Sequence, residues 1–157
     1  MLYLIGVDHQ VQHNGRAAKA GPELDQRRGH FEGFLREIIA RTKATVIAEE
    51  SHEDVLSQFG ATQSIPKCLA DQLGIIHMFC EPSREERKRL GITRLNNPAD
   101  FTVRESFWLE RILNLRSADV VFVLGAIHID SFAERARDVG FSIEIVEPYF
   151  EKEFFCP

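Results

Sequence analysis

Asp119-Val120-Val121-Phe122-Val123-Leu124 is the run that decides the fold, and it stops at Gly125-Ala126-Ile127-His128. From Val120 to Leu124 it has no polar face. A strand of this kind is covered on both sides, which is the condition of a strand in a parallel sheet. Four other runs share its character: residues 2–7, 44–48, 74–80 and 141–146. Amphipathic stretches lie between them. Residues 24–42 place Phe31, Phe34, Leu35, Ile38 and Ile39 at helical spacing. Residues 101–115 do the same with Phe101, Trp108, Ile112 and Leu115, and residues 131–139 with Phe132, Ala133, Ala136 and Val139. The predicted order is β-α-β-α-β-α-α-β-α-β. With right-handed crossovers it gives a single α/β domain over the whole chain, a three-layer sandwich with a mostly parallel sheet of about five strands.

Local signals mark the element ends. Ser83-x-x-Glu86, Thr102-x-x-Glu105 and Ser131-x-x-Glu134 read as capping boxes. Pro66 is expected to open a helix over 67–73 that ends at Gly74, and Gly140 is a natural helix stop. Three connections, 10–23, 51–65 and 91–100, exceed the usual ~4–6 residues. The first, with Gly15, Arg16, Lys19 and Gly21, reads equally as a mobile lid or a plain surface loop.

Composition narrows the class. Of 157 residues, 44% are hydrophobic and 27% charged, which argues against disorder, collagen and coiled coil. The formal net charge of −5 has the wrong sign for a broad nucleic-acid surface. Arg84, Arg87, Lys88 and Arg89, interleaved with Glu85 and Glu86, read as a solvated helix face. No apolar run approaches the ~20 residues of a membrane span, and Met1 to Val7 lacks the features of a signal peptide. Cys68, Cys80 and Cys156, with no CxxC among them, fit a reducing cytoplasm better than a disulfide scaffold. There is no GxGxxG after the first strand, and no GxxxxGK[ST], GxSxG or HExxH anywhere.

In an open parallel sheet, ligands bind beyond the carboxyl ends of the strands. Here those ends read Gly6-Val7-Asp8-His9, Glu49-Glu50, Glu81, Gly125-Ala126-Ile127-His128 and Glu147. Histidine and glutamate therefore collect on one rim. In each Gly-x-x-His the glycine lets the backbone turn or approach closely, and the imidazole projects beyond the strand. Two imidazoles beside two carboxylates suit a divalent ion such as Mn, Zn or Co. If strand geometry persists, Glu49 and Glu50 point to opposite faces, so one of them reaches the site. Asp8 either orients an imidazole or caps the turn. His13, four residues after His9, joins it if that segment is helical, although Asn14-Gly15 suggests a turn. Arg104 is expected in the first turn of a helix opened by Thr102, where a cation opposes the helix dipole at roughly 0.3–1 kcal/mol. It also shares the face of Trp108, so it needs an anion: a substrate group, or Glu105 or Glu81.

The order of these residues resembles that of the erythromycin esterase/ChaN-like superfamily, which includes the TraB/TIKI group. Gly6-x-x-His9, Glu49-Glu50, Arg104 and Gly125-x-x-His128 carry the resemblance. It implies hydrolase-like chemistry around one pocket, in a superfamily that also holds metal-dependent peptidases and a haem-binding protein. The leading expectation is a metal-dependent hydrolase of an ester, amide or phosphoester, acting on a small-molecule or peptide substrate. His9, Glu50 and His128 would hold the ion, Glu49 would act as general base and Arg104 would stabilise the oxyanion. The two glutamates could exchange roles. The alternative is a non-catalytic module binding haem, through His9 or His128, or another small molecule on the same rim. The acidic stretch 147–153 followed by Phe154-Phe155-Cys156 either packs on the domain or mediates a homodimer.

Overall fold

The computed structural model describes residues 1–13 and 21–151. Within them, five strands form one parallel sheet: β1 (Leu2–Val7), β2 (Val46–Glu49), β3 (Ile76–Phe79), β4 (Val120–Gly125) and β5 (Ile143–Glu147). Their order across the sheet is β3-β2-β4-β1-β5. The chain moves toward the β3 edge over its first half and back toward the β5 edge afterwards. Right-handed crossovers then require the connecting helices to change faces at that reversal. The two cores show this split. On one face, α2 (Pro22–Thr42) and α4 (Ile65–Leu73) pack Phe31, Leu35, Ile38 and Leu69 on Ile5, Ile47, Val121 and Val123. On the other, α6 (Pro98–Ile112) and α7 (Ile129–Asp138) pack Trp108, Ile112, Phe132 and Ala136 on Leu4, Ala48, Phe122 and Leu124. All six residues of β4 are buried, as its unbroken apolar run demands. The predicted α/β sandwich is the observed one.

Register places the site. Val7 pairs with Gly125 and Glu49 with Val123, so the ends of β1, β4 and β2 reach one level of the sheet. These are its three central strands. They bring His9, His128 and Glu50 to the same rim.

Several boundaries differ from expectation. The long connection 51–65 contains α3 (Glu53–Gln58), capped by His52, whose imidazole accepts from the Asp54 N–H at 3.2 Å. The connection after β1 begins with a single turn, α1 (His9–Gln12). α4 starts at Ile65 with Ser64 as its cap. α6 starts four residues before Thr102, at Pro98, with the Asn97 side chain accepting from the Ala99 N–H. Arg104 is therefore in its second turn, clear of the helix dipole's end. α7 begins at Ile129, directly after a 3₁₀ turn over Ala126–His128, so Ser131 lies inside it. Of the three proposed capping boxes, only Ser83/Glu86 forms, at the start of α5 (Arg84–Leu90). Thr102 and Ser131 carry the right spacing inside longer helices, where an earlier asparagine or a preceding turn has already set the start. The expected Asn14–Gly15 turn, the loop cations Arg16 and Lys19, Cys156 and the Phe154–Phe155 tail lie outside the described residues. Among the described residues no helix is long and apolar enough to cross a membrane.

Candidate active site

A cavity of about 210 Å³ opens at the carboxyl end of the sheet. His9, Glu50, Arg104 and His128 form its polar floor, and Val55, Phe59, Leu95 and Ile127 its apolar sides. The two Gly-x-x-His glycines have different reasons to be glycine. A Cβ on Gly6 would collide with the carbonyl oxygen of Pro148, where the chain leaves β5. A Cβ on Gly125 would stand 3.0 Å from His9 Nε2 and 3.2 Å from Glu50 Oε2, inside the site itself. The Gly125 N–H instead donates to Glu50 Oε2 at 2.6 Å.

His128 is 1% exposed and tightly oriented. Its Nδ1 faces Glu105 Oε1 at 2.8 Å, and since a carboxylate only accepts, Nδ1 is the donor. Glu105 also receives Ser131 Oγ at 2.7 Å and Arg135 Nε at 3.0 Å. Burial works against the charge on Glu105, but the bonds from His128 and Ser131 outweigh it and hold its carboxyl below the usual range. The edges of Phe101 and Trp108 hold the ring, with centroids at 4.4 and 5.0 Å. His128 lines the cavity, with Nε2 3.5 Å from Arg104 Nη1 and 3.8 Å from Glu50 Oε1.

His9 is fixed in the same manner. Its Nδ1 lies 2.9 Å from Gln12 Oε1, and its Nε2 lies 3.5 Å from Glu50 Oε1. Partial enclosure of the His9 ring, whose side chain stays 46% exposed, lowers its affinity for a proton, but Glu50 and then Gln12 more than reverse this, raising its pKa to about 9. For Glu50, burial is likewise outweighed by His9, Arg104 and His128, and its carboxyl is held down to about 2. This pair is imidazolium and carboxylate at neutral pH.

Arg104 is 3% exposed and nearly saturated. Nε and Nη2 donate to Glu81, Nη2 also to Glu50 Oε1, and Nη1 to the Leu95 carbonyl at 2.6 Å. Nη1 also stands 3.5 Å from His128 Nε2. Of the two internal partners considered, Glu81 is the one used. Glu81 also receives Trp108 Nε1 at 3.0 Å. Burial raises the Glu81 pKa against the opposing pull of Arg104.

Other expected residues take different places. Glu49 and Glu50 do point to opposite sides. Glu49 is fully buried outside the cavity lining and receives Ser64 Oγ, His77 Nε2 at 2.7 Å and Gln12 Nε2 at 2.6 Å. All its close partners are donors, so it is not placed to take a proton from water as the expected general base. Asp8 caps α1 by accepting from the Gln10 N–H at 2.9 Å and makes no bond to an imidazole. His13 follows α1 in extended backbone yet still lines the cavity, stacked on Phe59 at 4.9 Å. Burial, then Arg28 and His9, lower its affinity for a proton. Cys80 is buried, and burial pushes its thiol well up, so it offers no thiolate.

The expected metal does not fit this arrangement. His9, Glu50 and His128 converge, but the Arg104 guanidinium is already bonded to Glu50 Oε1 and beside His128 Nε2, and Glu81 and the Leu95 carbonyl pin it there. A divalent ion would have to share that space with a fixed cation. No group of three His, Cys, Asp or Glu side chains among the described residues is disposed to hold a metal. Haem fits no better, because about 210 Å³ falls below the ~300–1,000 Å³ typical of pockets for larger ligands.

Sequence reasoning did not assign Glu105, Gln12 or His77 to this site. Glu105 carried a usable signal: it adjoins Arg104 on a helix whose Trp108 face had to be buried, so two charges there needed partners. Gln12 and His77 carried none, because their partners come from distant elements. No protein-family model, curated protein or solved structure matches the chain.

Proposed function

We propose that the protein is a hydrolase of a small carboxylic ester or amide, working by acid–base catalysis without a metal. The observation that carries this reading is the Glu105–His128 dyad, an imidazole on the cavity lining whose Nδ1 donates to a buried carboxylate. That is the arrangement of a general base whose tautomer is fixed from behind. His128 Nε2 takes a proton from water as the water oxygen bonds to the substrate carbonyl carbon. The carbonyl electron pair moves onto oxygen. His9, held as imidazolium by Glu50 and 46% exposed on its side chain, stabilises that oxyanion. The bond to the leaving group then breaks, and the proton on His128 passes to the departing oxygen or nitrogen.

Charge selects among ester, amide and phosphoester. Glu50 and Glu81 offset Arg104 and His9 on the floor, so a phosphate would meet two carboxylates with no surplus cation. The apolar sides, with Phe59 46% and Ile127 71% exposed, favour an uncharged acyl group. The resemblance in motif order to the erythromycin esterase/ChaN-like superfamily supports the same reaction class.

The test is hydrolysis of p-nitrophenyl acetate by protein made without a polyhistidine tag. His128→Asn and Glu105→Gln should each reduce kcat by about 10²–10⁴, with folding checked by circular dichroism. Chelators should leave the wild type unaffected. Equal rates for wild type and both variants would sink the hydrolase reading. Loss of activity on chelation, restored by Mn, Zn or Co, would return the metal to the mechanism.

A further inference from the structure

We propose that Glu49 is a positioning residue that acts through Gln12 to hold the Nδ1–H of His9 in a hydrogen bond and so keep the Nε2 edge of His9 toward Glu50 and the cavity. The inference rests on the hydrolase reading only for the role of His9. It stands on an unbroken chain of contacts: His77 Nε2 to Glu49 at 2.7 Å, Gln12 Nε2 to Glu49 at 2.6 Å, and Gln12 Oε1 to His9 Nδ1 at 2.9 Å.

The direction of each bond follows from chemistry. A carboxylate has only acceptor oxygens, so Gln12 must turn its NH₂ toward Glu49. Its carbonyl oxygen then faces His9, and Nδ1 must be the donor. Were the amide reversed, two oxygens would meet at 2.6 Å and two donors would face each other at His9. The adjacent glutamates thus serve one imidazole from its two ends. Glu50 lies 3.5 Å from Nε2, and Glu49 reaches Nδ1 through Gln12.

A packing role alone does not account for Glu49. Apolar residues of similar volume commonly replace buried charged groups without loss of stability. Ser64 and His77 could satisfy Glu49 on the far side, yet its second oxygen is directed to Gln12.

The test reads the imidazole N–H groups of ¹⁵N-labelled protein by NMR. The wild type should show a hydrogen-bonded His9 Nδ1–H, assigned by its loss in His9→Asn, and a His128 Nδ1–H held by Glu105. Gln12→Met should remove the His9 signal and keep that of His128, which reports an intact site. Glu49→Gln should weaken the His9 signal, because an amide at 49 no longer dictates how Gln12 faces. If Glu49→Gln does not fold, Gln12→Met decides, since it leaves Glu49 with Ser64 and His77. Both variants should slow p-nitrophenyl acetate hydrolysis roughly 10–100-fold. Persistence of the His9 signal in Gln12→Met, or its absence from the wild type, would overturn the proposal. The expected NMR pattern in a wild type that hydrolyses nothing would support the positioning role and count against the hydrolase reading alone.

Discussion

His9 and Glu50 form one ion pair, and its stability contribution has two pH limits. The Glu50 pKa falls from 4.5 to about 2, so its contribution is present above pH 4.5 and lost as pH drops toward 2. The His9 pKa rises from 6.5 to about 9, so the same contribution is complete below pH 6.5 and lost as pH climbs through 9. The pair therefore acts fully between pH 4.5 and 6.5. His9 is half exposed, which screens the pair to roughly 1 kcal/mol or less. In His9→Asn, the loss of stability between pH 6.5 and 9 should largely disappear from urea-denaturation midpoints measured across pH. An unchanged alkaline limb would mean that another group carries it. At this scale the histidines could be read directly, because Gly-x-x-His at a strand end has a local meaning. Glu49 could not, since whether a carboxylate faces a cavity or three donors depends on Ser64, Gln12 and His77.

Helix α6 supplies Arg104, Glu105 and Trp108 to the site, so its start and phase decide where they point. Its cap is Asn97, which also donates to Asp100 at 3.1 Å. Asn97→Ala should cost about 1 kcal/mol, whereas Thr102→Ala, removing the residue with the capping-box spacing, should cost clearly less. Chemical denaturation of the two variants checks this, and a larger loss in Thr102→Ala would show that the cap is misassigned. Neither change should displace Arg104, which Glu81, Glu50 and the Leu95 carbonyl hold. The apolar phase of this helix was readable from Trp108 and Ile112. Its start was not, because Asn97-Pro98 and Thr102-x-x-Glu105 offer competing caps five residues apart and packing chooses between them. The same holds for α3, a short helix in a stretch with little apolar periodicity.

Across the whole molecule, two separate cores share one sheet. Leu35 on the α2 side and Ile112 on the α6 side are both fully buried. Leu35→Ala and Ile112→Ala should each destabilise by about 2–5 kcal/mol, and each variant should still unfold in one transition, because both faces rest on the same strands. Two transitions by tryptophan fluorescence and far-ultraviolet circular dichroism would show that the layers unfold independently. The runs of apolar residues foretold a parallel sheet. They carry no information on strand order, which comes from how crossovers and helices fit together. That order has a consequence for biosynthesis. Of these five strands β1 is made first, yet among the described residues its partners are β4 and β5, beginning with Leu2 against Val120. At ~5–20 residues per second, a nascent β1 waits roughly 6–24 s for its first neighbour. Helix α2 can cover its Ile5 face before that, whereas Leu2 and Leu4 on the opposite face wait for β4 and the later helices. During synthesis β2 and β3 can therefore pair early, β1 joins once β4 has emerged, and β5, whose partner is β1, is added last.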